Sequence, residues 1–292
     1  MDIIRIPQIG KINIFLFSFM VITILFCCSN QVQSAQNGDF ASSLTNNEAP
    51  PAIFLSPPNT QVQVIKANYG YSGQGRPLTC VTLNPINAQG KATLLVFAIH
   101  GAEDAWLGDS WMLVQIADDV EKYFTENPET LNGSTLTIVR LANPDGLCEG
   151  WTNNGPGRCT VVGGYDLNRI WPKGFKVLWG ARNNTGNTPM LAPEANALRD
   201  LVLLKAQENG GKLNNVYDFH GWLNTSFGTK SICWQFQSTL GINYSGYPGG
   251  GYFARWAQDY AYNTALIELP WPTKWQQANY SNNIINALKM VL

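Results

Sequence analysis

Histidine and charged residues are both scarce in this chain. Of its 292 residues only 2 are histidine and 13% are charged, against about 25% charged residues in an average soluble domain. Neither sign of charge dominates, because 19 Lys and Arg face 20 Asp and Glu. Proteins that bind nucleic acid or an anionic membrane surface normally carry a surplus of Lys and Arg, so we expect neither partner. Disorder is also excluded, because 45% hydrophobic and 12% aromatic residues are enough to build a core.

The N-terminal segment predicts targeting. An apolar stretch runs from Ile12 to Cys28 and follows Arg5 and Lys11. A basic start, an apolar stretch and then small polar residues describe a secretory signal peptide, so residues 1–35 are predicted to be a signal and the protein to be secreted or periplasmic. The stretch also reaches the lower length limit for a membrane span, so an uncleaved anchor is the alternative, with lipidation of Cys28 a weaker third. No other membrane contact is expected.

The remaining chain is predicted to hold one domain. Residues 36–61 are rich in Asn, Ser and Pro and lack an apolar period, which is typical of a flexible segment. No internal repeat and no second linker follow. We therefore expect residues 62–292 to form a single domain.

Apolar runs of strand length alternate with stretches of helical spacing. The strand-like runs are 93–99, 134–141, 216–219 and 265–269, and the helical stretches are 111–124, 192–206 and 274–292. Continuous apolar runs indicate strands that are buried on both faces. Strands alternating with helices predict an α/β fold with a mixed, mostly parallel central sheet flanked by helices. In such sheets functional groups gather at the carboxyl ends of the strands.

Export would place the cysteines after the signal in an oxidising compartment. Cys148 and Cys159 enclose a short stretch rich in Gly, Asn and Pro, which favours a disulfide between them and leaves Cys80 to pair with Cys233. Four free, buried thiols are the alternative. No cysteine spacing resembles a zinc-binding CxxC pair.

Both histidines directly follow a predicted strand. His100 comes after the run 93–99 and His220 after the run 216–219, while Glu103 lies three residues past the first histidine. A turn at the strand end could bring His100 and Glu103 to one point. Two imidazoles and one carboxylate form a zinc site that leaves the fourth position to water, which is the catalytic arrangement. Two buried structural histidines are the alternative, because His and Glu at this spacing often occur by chance.

Six motifs together resemble the M14 zinc carboxypeptidase family in order and approximate spacing. They are Gly75-Arg76-Pro77, His100-Gly101-Ala102-Glu103, Asn143-Pro144-Asp145-Gly146, Asp166-Leu167-Asn168-Arg169, His220 and Ala265-Leu266-Ile267-Glu268-Leu269. The resemblance covers Ala67 to about Leu292, and the compact Asp-Leu-Asn-Arg segment is most similar to bacterial peptidases that act on cell-wall peptides. It implies an exported zinc metallocarboxypeptidase that hydrolyses the C-terminal peptide bond of a peptide or muropeptide.

The resemblance implies a role for each matched residue. His100, Glu103 and His220 match the ligands of a single zinc ion (Zn²⁺). Asp166 matches a carboxylate that holds the far nitrogen of the first histidine and fixes its tautomer. Glu268 matches the general base that takes a proton from a zinc-activated water and later passes it to the leaving amine. With both histidines used as ligands, no imidazole is left for that proton transfer.

The same match implies the groups that hold the substrate. Asn168 and Arg169 match the pair that binds the substrate's terminal carboxylate, a task that suits a planar guanidinium. Arg158 matches the arginine that stabilises the oxyanion of the tetrahedral intermediate, although the family varies in length around it.

Two further substrate contacts are expected near the C-terminal third of the chain. Tyr247 matches a mobile tyrosine that folds over the bound substrate, with Tyr244 as its competitor, and Gly249-Gly250-Gly251 would permit the motion. Arg255, just before Trp256, lies where the preference for a substrate side chain should be set. It would suit an acidic terminal residue if it points inward.

Departures from the family pattern leave two alternatives open. Ile170-Trp171 replaces the usual second asparagine after the Asn-Arg pair. Asp218-Phe219-His220-Gly221 is similar to the amidohydrolase branch that includes aspartoacylase and succinylglutamate desuccinylase, so an N-acyl amino acid deacylase is the alternative enzyme. A catalytically inactive carboxypeptidase-like binding module is the alternative outside catalysis, and the intact ligand set and base argue against it.

Overall fold

The computed structural model describes residues 53–54, 61–103, 105–151, 155, 157–271 and 277–292. The predicted signal, residues 1–35, lies outside the described residues. All described residues fall within one compact unit, Leu44–Leu292. Among them, no helix has both the length and the apolar character that crossing a bilayer requires.

The strands of the described chain form one nine-stranded sheet. They are β1 (Ile53–Phe54), β2 (Val62–Tyr71), β3 (Pro77–Pro85), β4 (Lys91–Phe97), β5 (Ser134–Val139), β6 (Leu213–Gly221), β7 (Thr225–Gly228), β8 (Asn243–Tyr244) and β9 (Ala261–Leu269). Their order across the sheet is β1-β2-β3-β5-β4-β6-β9-β7-β8. The central strands β5, β4, β6 and β9 are mutually parallel, while β1, β2 and β3 add antiparallel strands at one side and β7 at the other. The predicted mixed sheet with a parallel centre is confirmed.

Helices cover both faces of this sheet. They are α1 (Trp111–Glu126), α2 (Pro144–Glu149), α3 (Pro193–Glu208), α4 (Lys230–Leu240), α5 (Phe253–Ala257) and α6 (Gln277–Val291), with a 3₁₀ turn at Pro128–Leu131. Side chains of α1, α4 and α6 belong to one hydrophobic core, and side chains of α3 and α5 belong to a second.

The central strands contribute to both cores. Leu95 and Phe97 of β4 pack in the core of α1, α4 and α6, whereas Leu94 and Val96 pack in the core of α3 and α5. Successive side chains of a strand point to opposite faces of the sheet. A strand covered by helices on both faces is therefore apolar at every position, which explains the continuous apolar runs.

Both expected disulfides are wrong. Cys80, Cys159 and Cys233 are free and buried thiols. Cys80 lies in the core of α3 and α5 and Cys233 in the core of α1, α4 and α6, so the sheet separates them. The Sγ atom of Cys159 instead faces the carbonyl oxygen of Arg182 at 3.8 Å.

Part of the predicted flexible segment 36–61 is ordered. Ile53 and Phe54 pair with Lys66 and Ile65 of β2 and form the edge strand β1. Apart from Gln61, the rest of that segment lies outside the described residues.

Candidate metal and catalytic site

The carboxyl ends of the parallel strands bring the predicted ligands together. His100 lies in a loop, three residues after the end of β4, as predicted. His220 was also expected to follow its strand, but it is the second-last residue of β6. The pairing of β6 with β9 places His220 opposite Glu268. Since the carboxyl ends of parallel strands meet at one edge of a sheet, all three side chains lie at the edge where ligands usually bind.

Glu103 joins the two histidines. Its Oε2 atom lies 3.0 Å from Nδ1 of His100, and its Oε1 atom lies 2.8 Å from Nδ1 of His220. All three residues are buried, and their candidate ligand atoms lie within 4.8 Å of one another. Two imidazole nitrogens and a carboxylate are donors that zinc accepts. The chemistry of this donor set therefore fits one zinc ion.

The cluster lowers the pKa of its own carboxylate. Burial alone would raise the pKa of Glu103, but the adjacent imidazoles of His100 and His220 outweigh it and hold the pKa well below the usual range. Metal ligation needs this carboxylate in its ionised form, and it also needs both imidazoles to be neutral.

A buried carboxylate stands behind each histidine. Oδ1 of Asp166 lies 2.9 Å from Nε2 of His100, and Oδ1 of Asp218 lies 2.9 Å from Nε2 of His220. Both aspartates are 0% exposed. Asp166 lies at the far nitrogen of the first histidine, the position that its predicted role requires. Asp218 was not predicted to have a role.

Asn168 is buried beside the second histidine. Its Nδ2 atom lies 3.0 Å from Nε2 of His220, and its Oδ1 atom accepts a hydrogen bond from the backbone N–H of Phe253 at 2.8 Å. The residue is 1% exposed. Both ends of the amide are thus engaged within the fold, whereas the predicted role requires N–H groups open to a substrate carboxylate.

Arg158 places a positive charge beside the cluster. Its Nη1 atom lies 3.5 Å from Oε2 of Glu103, and its Nη2 atom lies 3.6 Å from Oδ2 of Asp166. Burial alone would raise the pKa of Asp166, but His100, followed by Arg158 and Arg169, holds it well below the usual range. The structure therefore places Arg158 at the cluster, although the length of the chain around this position varies in the family that the motifs resemble.

Arg169 is half-buried and held on two sides. Its Nη1 atom donates a hydrogen bond to the carbonyl oxygen of Asn168 at 2.8 Å. Its guanidinium carbon lies 4.0 Å from the centre of the Tyr252 ring, within the range of a cation–π contact. These contacts orient a planar group that can bind a carboxylate with its other N–H donors.

Tyr247 and Arg255 lie near each other at the surface. The guanidinium carbon of Arg255 lies 5.9 Å from the centre of the Tyr247 ring, and its Nη1 atom donates to Oε1 of Gln258 at 3.3 Å. Tyr247 is 59% exposed. The competing Tyr244 is only half-exposed, and its hydroxyl donates to the carbonyl oxygen of Gly228 at 3.2 Å. Tyr247 is the less restrained of the two tyrosines.

Close packing accounts for two of the three consecutive glycines. A Cβ atom on Gly250 would lie 2.2 Å from the carbonyl oxygen of Gly174, and a Cβ atom on Gly251 would lie 2.4 Å from that of Arg169. Only glycine permits such an approach between backbones. The two residues therefore support the segment that carries Arg169, whereas the prediction connected them with motion.

One carboxylate oxygen of Glu268 has no hydrogen-bond partner in the described part of the chain. The residue is half-buried, and its Oε2 atom is buried with no hydrogen-bond partner among the described residues. Burial raises the pKa of Glu268 to about 7, with His220 acting in the opposite sense and Glu103 reinforcing the shift. A carboxylate of this kind can take up and release a proton near neutral pH.

Asp109 holds the loop that carries Glu103. Its Oδ1 atom accepts the backbone N–H of Glu103, and its Oδ2 atom accepts the backbone N–H of Ala105 at 2.8 Å and Nε1–H of Trp222 at 2.7 Å. Asp109 is 0% exposed. No motif or periodicity in the sequence marks this residue, so sequence reasoning missed it.

Comparison with known proteins gives one family and one relative of high similarity. The model of the zinc carboxypeptidase family matches residues 59–279. Bacteriocin BCN5 of Clostridium perfringens is 38% identical over 229 residues, which are 76% of this chain and 25% of that protein. The chain thus spans about a quarter of the length of this relative.

Solved structures of similar fold have low sequence identity to this chain. Carboxypeptidase A from Helicoverpa armigera has a TM-score of 0.62 at 16% identity and covers 79% of this chain and 69% of its own. Murein-tripeptide amidase MpaA from Escherichia coli O157 has a TM-score of 0.57 at 21% identity and covers 80% of this chain and 92% of its own. At these identities the likeness shows the fold alone. Because the family model matches most of the chain, the chain belongs to the zinc carboxypeptidase family, as the six motifs predicted.

Proposed function

We propose that this chain is an exported zinc metallocarboxypeptidase that hydrolyses the C-terminal peptide bond of a peptide or muropeptide, with Glu268 as general base. One observation carries the proposal. The Oε2 atom of Glu268 is buried with no hydrogen-bond partner among the described residues, and Glu268 pairs across the sheet with His220, a member of the candidate zinc cluster. Export rests on the composition of residues 1–35.

His100, Glu103 and His220 would hold the metal. When bound, zinc lowers the pKa of a water molecule from 15.7 to about 7 and polarises the scissile carbonyl. Glu268 accepts a proton from the attacking water and later donates it to the leaving amine. A carboxylate has to do this work, because the chain has only 2 histidines and both are in the cluster.

Two arginines, Arg158 and Arg169, would stabilise the oxyanion and bind the terminal carboxylate of the substrate. Arg158 lies within 3.5 Å of Glu103, where its guanidinium can stabilise the developing oxyanion, an interaction worth about 2.7–4 kcal/mol per donor in other hydrolases. Arg169 has N–H donors beyond the one bonded to Asn168, and these would bind the terminal carboxylate of the substrate. A substrate without that carboxylate should bind poorly.

Exposed apolar side chains support a substrate larger than one residue. Trp106, Leu223 and Trp271 are 37%, 69% and 61% exposed and lie on the loops that follow β4, β6 and β9. These three strands are parallel, so the loops belong to the edge of the sheet that carries the cluster. Exposed apolar surface at such an edge is typical of a binding site. Since one structural neighbour is a carboxypeptidase A and another a murein-tripeptide amidase, peptide and muropeptide are both to be tested.

The test is a comparison of wild-type protein with Glu268→Gln. Release of C-terminal residues would be followed by mass spectrometry on peptides with free and amidated ends and on a muropeptide. We expect Glu268→Gln to lower kcat by about 10²–10⁴-fold with zinc content unchanged. The control is Glu208→Gln, an exposed glutamate on α3 that pairs with Lys205, which should leave kcat unchanged.

Other outcomes of the same assay would replace the proposal. Equal activity of wild-type protein and Glu268→Gln would remove Glu268 as the base. Preferential release of acyl groups from N-acyl amino acids would show a deacylase instead. Peptide binding without hydrolysis by the zinc-loaded protein would show a binding module.

A further inference from the structure

Asp218 is placed by its strand to act on the second histidine. It precedes His220 by two residues on β6, and side chains two residues apart on a strand point to the same face. The Oδ1 atom of Asp218 lies 2.9 Å from Nε2 of His220. This contact is a close approach of two side chains and not a hydrogen bond, because both carboxylate oxygens of Asp218 are buried with no hydrogen-bond partner among the described residues.

The surroundings of Asp218 make a lone carboxylate costly. Its backbone pairs with Val96 of β4 and with Leu266 of β9, and the residue is 0% exposed. Burying a charge is unfavourable unless a partner compensates it. Among the residues that the structure describes, the imidazole of His220 is the one ion-pair partner of Asp218, so the position of Asp218 points to a role at that ring.

The Nε2 atom of His220 has two neighbours with opposite requirements. Asn168 presents Nδ2 at 3.0 Å, and this group can only donate. The amide orientation follows from its Oδ1 atom, which accepts the N–H of Phe253. An ionised Asp218, by contrast, can only accept. A proton on Nε2 therefore favours Asp218, and a lone pair on Nε2 favours Asn168.

Metal binding decides between these two tautomers. The Nδ1 atom of His220 faces Glu103, and it can act as a ligand only through its lone pair, which places the ring proton on Nε2. We propose that Asp218 is the positioning residue of His220: it accepts the Nε2 proton and thereby presents the Nδ1 lone pair to the metal. This inference rests on the proposed zinc site.

With Asp218 in this role, each ligand histidine has a carboxylate at its Nε2 atom. Asp166 already forms a hydrogen bond with Nε2 of His100 at 2.9 Å, and Asp218 would form the same bond with His220 in the metal-binding tautomer. In the tautomer held by Asp218, the Asn168 amide loses its acceptor on His220, so its N–H groups become available to another acceptor. A substrate carboxylate would be such an acceptor.

The first test is the zinc affinity of Asp218→Asn, measured by competition with a chelator of known affinity. Asn keeps the volume of Asp and removes its charge. We expect the Kd for zinc to rise by about 10–100-fold, as for other groups that orient metal ligands. Asp119→Asn is the matched control, because Asp119 lies on α1 and accepts a hydrogen bond from Ser281; its Kd for zinc should equal that of wild-type protein.

The second test needs no variant. Because the chain has only 2 histidines, nitrogen NMR of the zinc-loaded wild-type protein resolves each ring, and through-bond correlation of each ring with its own backbone assigns them. We expect a protonated Nε2 on His220 with a downfield proton, and in Asp218→Asn a shift of that signal while the His100 signal stays. A purely structural role for Asp218 would move neither the tautomer nor the signal.

Two results would overturn the inference. One is an unprotonated Nε2 on His220 in the zinc-loaded wild-type protein. The other is a Kd for Asp218→Asn within about twofold of wild type, well below the change expected for such a group. If the wild-type protein binds no zinc at all, the proposed function itself fails, so the two failures are distinguishable.

Discussion

Each histidine of the cluster is followed by a glycine, but the two glycines have different surroundings. A Cβ atom on Gly101 would lie 2.1 Å from the carbonyl oxygen of Gly157 and 2.4 Å from the carbonyl carbon of Gly146. A Cβ atom on Gly221 would have Glu103 Cβ, at 3.7 Å, as its nearest contact. Gly101 lies on a loop that other loops enclose, whereas Gly221 ends a strand and has space beside it.

The difference shows how the two halves of the cluster are built. His220 takes its position from β6, which pairs with β4 and β9 along its length. His100 and Glu103 lie beyond the end of β4, where Ala98 adopts a positive φ of 52°, and there Asp109 and the packed backbone of the neighbouring loops hold the chain. We therefore expect the loop half to be sensitive to changes outside the cluster and the strand half to tolerate them.

The largest expected effect separates the two glycines. Gly101→Ala leaves no room for its methyl group, so the free energy of unfolding should fall by roughly 1–3 kcal/mol, and the affinity for zinc should fall with it. Gly221→Ala meets only an ordinary contact and should change the free energy of unfolding by less than about 1 kcal/mol. Urea unfolding and zinc titration of both variants check this. Equal destabilisation by the two substitutions would contradict the claim that Gly101 is more tightly packed than Gly221.

A smaller effect is expected from Asp109→Asn. The amide can accept hydrogen bonds through one oxygen only, so at least one of the N–H groups of Glu103, Ala105 and Trp222 loses its partner. We expect the free energy of unfolding to fall by about 1–2 kcal/mol and zinc to bind more weakly, because the Glu103 loop is less well held.

The control for Asp109 is Asp118→Asn, on the same stretch of chain. Asp118 is an exposed residue of α1 that pairs with Arg140, and exposed ion pairs contribute about 0–1 kcal/mol. Zinc affinity should be unaffected in this control. If Asp109→Asn binds zinc as tightly as the control does, the hydrogen bonds of Asp109 do not support the cluster.

The smallest expected effect concerns the reactivity of two buried thiols. Burial raises the pKa of Cys159 to about 12 and that of Cys233 to about 11. Below these values the thiols stay neutral, so at pH 8 about one molecule in a thousand or fewer carries the reactive thiolate. Alkylation should be slow and should accelerate about tenfold per pH unit towards pH 11.

Zinc should affect the two thiols differently. Cys159 follows Arg158, whose carbonyl oxygen accepts the N–H of Gly101, so alkylation of Cys159 requires the loop half to open. Cys233 lies on α4 in the core of the opposite face. Zinc should therefore slow the labelling of Cys159, measured by peptide mass spectrometry, and leave that of Cys233 unchanged. Equal slowing at both sites would show that zinc stabilises the whole fold rather than the loop half.

The central strands were predictable from the sequence for a physical reason. β4, β5, β6 and β9 lie between two helical layers, so both faces of each strand are apolar and the run stands out. β2 was missed because it is mostly half-buried along its length and has no continuous apolar run. β3 is mostly buried, but Thr79, Thr82 and Asn84 interrupt its apolar residues. The pairing of Cys80 with Cys233 was wrong because the order of cysteines along the chain does not show on which face of the sheet each one lies.

The candidate site was predictable where a motif coincided with a strand end. His100, His220 and Glu268 all lie at the carboxyl edge of the sheet, and the motif series named them. Asp109 belongs to no motif and acts through backbone N–H groups. Asp218 precedes His220 by two residues in the sequence. Its proposed role follows only from the 2.9 Å contact between the two side chains, which no sequence pattern reveals.

The central claim is that His100, Glu103 and His220 together hold one zinc ion. Its most direct test is the zinc content of the folded protein, measured by inductively coupled plasma mass spectrometry after dialysis against trace metal, for wild-type protein and His220→Ala. We predict one zinc per wild-type chain and almost none in the variant. A wild-type protein that folds and retains no zinc, or a variant that retains as much as wild type, would contradict the account.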